Sequence, residues 1–185
     1  MKKIIFAAII SISFTFTVPL HAESLKWWEW GQTWLNSLSK GGWEGKTAPE
    51  KLGETLDGKA VSIHDYQEKL LFINFWATWC PPCKEEFQEL PQLSAALEGE
   101  KIEILAVNIF SSRNDVNRFL EKYQNGTKVL FDADKSVGKN YGIHTIPTSF
   151  LVDSKGKVLK VWKGAQYISQ FTKDIRPFLK SYSSQ

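Results

Sequence analysis

The chain has 185 residues, 43% of them hydrophobic and 23% charged, with two cysteines, eight tryptophans and a formal net charge of +3 at pH 7. That length fits one domain of ordinary size with a proper core and does not call for a second. Setting aside residues 1–22 removes Lys2 and Lys3 and lowers the charge to +1 (3 − 2), so nothing in the charge points to a nucleic-acid partner.

Residues 1–22 are predicted to be a secretory signal peptide. Lys2 and Lys3 precede an apolar run from Ile4 to Val18, and Pro19 and Ala22 follow it, which predicts cleavage after Ala22. The run is shorter than the roughly 20 residues of a membrane-spanning helix, so an uncleaved anchor is the alternative. No cysteine follows the run to carry a lipid. Export places the mature chain in an oxidising compartment, the periplasm, where a cysteine pair can be a disulfide. Residues 23–47 form a Trp-rich extension, in which Trp27, Trp30, Trp34 and Leu38 recur at helical spacing. This predicts a short amphipathic helix ending near Gly41-Gly42, either packed across the domain or offering Trp27, Trp30 and Trp34 to a partner or a membrane interface.

The domain proper is assigned to residues 48–185. ETLDGKAVSI predicts a hairpin whose two-residue turn is Asp57-Gly58. An apolar strand is expected over 69–76, then a helix over 82–97 with Phe87, Leu90, Leu93, Ala96 and Leu97 on one side. A second apolar strand, 101–110, precedes a helix capped by Ser112, in which Val116, Phe119, Leu120 and Tyr123 share a face. A short strand follows at 128–131. Strands 148–152 and 157–163, joined by the tight turn Asp153-Ser154-Lys155-Gly156, have to pair antiparallel. A last helix carries Ile168, Phe171, Ile175, Phe178 and Leu179 on one face, with Pro177 removing one of its hydrogen bonds. Alternating strands and helices followed by a hairpin predict an α/β fold with a central mixed sheet flanked by helices.

The two cysteines sit in FWATWCPPCK as Cys80-Pro81-Pro82-Cys83. A bridge across so short a loop contributes only about 2 kcal/mol of stability, against ~3–5 for one joining distant segments, so strength is a poor reason for it. Zinc wants four ligands, and after the leader only His64 and His144 remain to help; no metal is assigned. A redox centre explains both spacing and context, because the pair falls where a buried strand ends and a helix begins. Helix N-terminal N–H groups and the positive end of the helix dipole favour thiolate, so Cys80 at the solvent-facing helix mouth is the expected nucleophile. Cys83, one turn on and beneath it, is expected to attack the mixed disulfide and release the product. Pro81 and Pro82 suit a first helical turn and stiffen the loop between the sulfurs.

With Leu56-Asp57-Gly58-Lys59 before the core strand, Asn74-Phe75-Trp76-Ala77-Thr78-Trp79-Cys80-Pro81-Pro82-Cys83-Lys84-Glu85-Glu86, and Gly142-Ile143-His144-Thr145-Ile146-Pro147-Thr148-Ser149-Phe150, the sequence resembles the exported TlpA/ResA/DsbE-like thiol-disulfide oxidoreductases of the thioredoxin superfamily. The resemblance runs from about Ala48 to Leu179 and implies a thioredoxin-like fold with no cofactor. It implies that Pro147 is cis and turns the backbone of Ile146 towards the disulfide. It implies that Glu86, on the same helix side as Cys83, is a proton-handling carboxyl; an exposed glutamate at a helix start is the alternative. Asn74 stands where cytoplasmic thioredoxins carry a buried aspartate, so that proton route is absent. Trp79 is expected beside the disulfide and Trp76 beneath it, while His144 is a surface residue without a role.

The function implied is that of an exported reductase delivering electrons through Cys80 to disulfides of particular client proteins. Apocytochrome c is the best-known kind of client, and a membrane protein of the DsbD/CcdA type would be the electron donor. The cytochrome-dedicated branch carries Pro-Glu-Thr where this chain has Pro147-Thr148-Ser149. Thiol oxidation is the alternative direction. A copper-handling or partner-binding module is the non-catalytic alternative, though copper carriers of this fold resemble CxxxC plus a histidine. A peroxidatic cysteine would lie in another helix context, without a resolving neighbour.

Overall fold

The structure, a computed structural model, describes residues 42–123 and 125–183; the predicted signal peptide and the Trp27–Leu38 helix lie outside the described residues. The organising element is the run LLFINFW, all seven residues of which are buried. So continuous an apolar run has to be covered on both faces, and alternate residues do enter two separate cores. This strand, β3 (Leu70–Trp76), lies inside a sheet with β1 (Lys51–Glu54), β2 (Ala60–Ser62), β4 (Ile102–Asn108), β5 (Lys128–Phe131), β6 (Thr148–Val152) and β7 (Val158–Lys163). The order is β2-β1-β5-β4-β3-β6-β7, with β3, β4 and β5 parallel and the rest antiparallel. Among the described residues, four α-helices complete the domain: α1 (Pro81–Ala96), α2 (Arg113–Lys122), α3 (Ser136–Asn140) and α4 (Ile168–Ser183).

On one face, Leu70, Phe72 and Trp76 pack with Phe87 and Leu90 of α1, Phe119 of α2 and Phe171 and Ile175 of α4. On the other, Leu71, Ile73 and Phe75 pack with Val137 of α3, Tyr141 and Phe150. Each such fully buried side chain contributes roughly 1.5–3 kcal/mol. Residues 43–47, assigned from sequence to the extension, join this second layer. Gly45 N–H donates to Val158 O at 2.8 Å, and the Trp43 ring lies 6.2 Å from that of Tyr141.

Several boundaries differ from those expected. The hairpin loop has three residues, Leu56-Asp57-Gly58, because Thr55 N–H reaches Lys59 O at 2.8 Å; only Gly58 adopts positive φ, at 90°. Helix α1 begins one residue early, with both prolines in its first turn, and leaves Ala96 exposed. Strand β4 stops at Asn108, since Phe110 turns left-handed at φ 61° and leaves the sheet. The short helix α3 has no counterpart among the expected elements; Asp132 at the end of β5 accepts the N–H groups of Val137 and Gly138 at 3.0 and 2.9 Å and holds its first turn.

The topology also fixes what faces the end of β3. Strand β6 runs antiparallel to β3, with Thr148 opposite Phe75. The residue just before β6 therefore falls beside the residues just after β3, bringing Ile146-Pro147 to the cysteine pair.

Candidate active site

Cys80 is the N-cap of α1, in extended conformation at φ −90° and ψ 109°, and Pro81 and Pro82 occupy the first two helical positions. Neither proline has an N–H, so the first amide the helix can offer is that of Cys83. That N–H donates to the Cys80 sulfur at 3.3 Å. Cys80 and Cys83 are joined as a disulfide, with Cα atoms 5.3 Å apart. The Ile146–Pro147 peptide is cis, and the Ile146 carbonyl oxygen lies 4.0 Å from the Cys80 sulfur.

The pair is more covered than a solvent-facing helix mouth implies: Cys80 is 4% exposed and Cys83 not at all. The bond to Cys83 and the Ile146 carbonyl occupy two sides of the Cys80 sulfur, which leaves a narrow approach. Trp76 is buried in the same apolar cluster as both cysteines, its ring 4.6 Å from that of Phe87. Trp79 is 60% exposed, and its indole N–H donates to the Phe110 carbonyl at 2.9 Å. The neighbouring Thr78 N–H donates to Ser111 Oγ at 3.0 Å, so the 109–111 segment is tied to the loop that carries the cysteines. His144 is exposed.

Glu86 lies on the inner side of α1 with Cys83 and is 3% exposed. Its Oε1 accepts from Asn74 Nδ2 at 2.5 Å and its Oε2 from the Gln166 backbone N–H at 2.8 Å. Asn74 also donates to Ser149 Oγ at 3.0 Å, while its own Oδ1, buried, has no partner among the described residues. Burial pushes the Glu86 carboxyl up to about 7; the bonds from Gln166 and Asn74 pull it down, and the nearby Glu89 charge raises it a little. Over it opens a recess of about 230 Å³ lined by Pro82, Glu85, Glu86, Glu89, Gln166 and Tyr167.

Sequence reasoning missed Asn74, Ser149 and Gln166 as the partners of Glu86. The first two carry a signal, being polar residues inside otherwise apolar strands; the third acts through its backbone and carries none. Phe110 and Ser111 were also missed, for the positive φ at Phe110 has no mark in an apolar run.

A buried strand ending in a disulfide at a helix N-cap, opposite a cis-proline loop on an antiparallel neighbour, defines a thioredoxin-fold thiol-disulfide oxidoreductase. Residues 45–161 match the AhpC/TSA family, and the chain belongs to that family, within its ResA-like thiol-disulfide oxidoreductases. It is 37% identical over 121 residues to the thiol-disulfide oxidoreductase ResA of Bacillus subtilis, covering 65% of this chain and 68% of that one. Against ResA of Geobacillus thermodenitrificans it is 35% identical over 136 residues, covering 72% and 78%. The crystal structure of StoA from Bacillus subtilis superposes with a TM-score of 0.58 at 27% identity, covering 65% of this chain and 92% of that one.

Proposed function

We propose that this chain is an exported reductase of disulfides in particular client proteins, with Cys80 as the attacking thiol, Cys83 as the resolving thiol and Glu86 as the proton carrier. The observation that carries this reading is the Cys83 N–H aimed at the Cys80 sulfur at the mouth of α1, a contact that stabilises negative charge on that sulfur rather than on Cys83.

In the reduced enzyme the Cys80 thiolate attacks one sulfur of a client disulfide. A Cys80–client bond forms, the client S–S bond breaks, and one client sulfur leaves as thiolate. Cys83 then gives up its proton and attacks the Cys80 sulfur. The Cys80–Cys83 bond forms and the second client sulfur leaves. Two electrons have passed to the client, and a membrane donor of the DsbD/CcdA type returns them. With a pKa of about 7, Glu86 is part ionised near neutral pH and suited to take the Cys83 proton and yield it again. Pro81 and Pro82 limit the helix mouth to one donor, and Ile146 and Pro147 set the wall along which an extended client segment would lie.

Export to the periplasm rests on the character of residues 1–22. Apocytochrome c is the client class that the family resemblance suggests, with Thr148-Ser149 after Pro147 the point of departure from the cytochrome-dedicated branch. The experiment is trapping: a Cys83→Ala variant should accumulate mixed disulfides through Cys80, and a Cys80→Ala variant none. Equal absence of adducts from both would sink the reading. The reduction potential of the pair decides direction, a reductase lying well below the roughly −120 mV of a strong periplasmic oxidant.

A further inference from the structure

Phe110 combines two features that a folded chain ordinarily avoids together. Its backbone is left-handed, at φ 61°, where Cβ crowds the following carbonyl and a bulky residue is a rare occupant. The residue is 48% exposed, so packing does not compensate. The turn itself has a purpose. It ends β4 with the Ile109 N–H on the Trp76 carbonyl at 2.9 Å, presents the Phe110 carbonyl to the Trp79 indole, and sets Ser111 Oγ against Thr78. Glycine would make that turn more readily. The backbone is thus explained without the ring, and the ring requires a use of its own; strain held at such a position points to function.

We propose that the Phe110 ring and the Trp79 indole form a rigid apolar platform that docks the client polypeptide and favours clients with a large apolar side chain beside the reacting cysteine. This deepens the reductase reading and rests on it. Trp79 immediately precedes Cys80, so a client cysteine bonded to the Cys80 sulfur brings its own neighbours over residues 79 and 110. Trp79 is 60% exposed, and large aromatic side chains in fixed positions are what anchors a polypeptide interface. Three hydrogen bonds, from Ile109 N–H, Thr78 N–H and the Trp79 indole, lock the two segments together before any client arrives. Little ordering is left to oppose binding.

The test uses Phe110→Gly and Phe110→Asn, both compatible with a left-handed backbone. Each reduced protein is offered two synthetic disulfide-bonded peptides that differ only in leucine or serine beside the cysteine, and hydroxyethyl disulfide as a probe too small to reach the platform. The wild-type chain should reduce the leucine peptide faster than the serine peptide. Both substitutions should lower that ratio about fivefold, as expected for half-burying a phenyl ring, and the thermal midpoint of Phe110→Gly should not fall. A leucine-to-serine ratio unchanged in both variants, or a lowered midpoint that marks the ring as structural, overturns the platform while leaving exchange at Cys80 intact. Failure of the wild-type chain to reduce even hydroxyethyl disulfide would instead overturn the reductase reading beneath it.

Discussion

Replacing Glu86 by glutamine should reshape the dependence of stability on pH. In the oxidised protein the cysteines do not titrate, so the comparison isolates this carboxyl. Its pKa rises from an ordinary 4.5 to about 7 on folding, equivalent to about 3 kcal/mol at about 1.4 kcal/mol per pH unit. Below pH 4.5 the carboxyl is protonated in both states and contributes no penalty. Between 4.5 and about 7 the unfolded chain releases the proton while the folded chain keeps it, so stability falls as pH rises. Above about 7 the fall is complete. The substituted glutamine can meet the same surroundings once the Asn74 amide, whose Nδ2 now faces Glu86, flips: the glutamine carbonyl accepts from Gln166 N–H, and its amide donates to the Asn74 Oδ1 that now lacks a partner among the described residues. In urea unfolding of the oxidised proteins, Glu86→Gln should match wild type within about 1 kcal/mol at pH 5 and exceed it by about 2–3 kcal/mol at pH 8. Parallel curves from pH 5 to 8 would refute the buried-carboxyl argument. In the reduced enzyme, the same variant should flatten the pH profile of exchange near neutrality.

Three further outcomes follow from the packing. Gly53→Ala places a Cβ 2.8 Å from the Phe131 carbonyl oxygen at φ 114°, and should cost at least about 2 kcal/mol in chemical denaturation. Asp132→Ala releases two N–H groups of α3 and should lower stability by about 1–2 kcal/mol, with amides of 137 and 138 gaining hydrogen exchange. Ser112→Ala removes the acceptor for Asp115 N–H at the start of α2 and should cost about 1 kcal/mol in the same assay.

Much of this architecture is written locally. Strands β5 and β6 begin and end at the expected residues, and Ser112 caps α2 through the side chain its position implies. The cysteine pair declares itself because strand, turn and helix meet there. What was not legible depends on residues distant in sequence. Helix α3 spans five residues and is held by Asp132 from the strand before it, too short for a periodic pattern. The apolar run carries β4 two residues too far at its C-terminal end because Ile109 and Phe110 are as apolar as the strand, and the left-handed turn is enforced by contacts with residues 76 and 79. Glu86 stood out only through resemblance; its burial arises from Asn74 on β3 and a backbone amide ahead of α4. The coverage of Cys80 likewise comes from Ile146, which reaches it only because β6 runs antiparallel to β3.

The proposed mechanism requires Cys80 to be the ionised, approachable sulfur of the pair and Cys83 its covered partner. Alkylation of the fully reduced protein by iodoacetamide, followed across pH with the modified residue identified by mass, tests it directly. One fast-reacting thiol is expected, Cys80, with a midpoint below the ordinary cysteine value of about 8.5, while Cys83 stays unmodified until the protein unfolds. Cys83 reacting first, or two thiols equally inert in the folded protein, would contradict it.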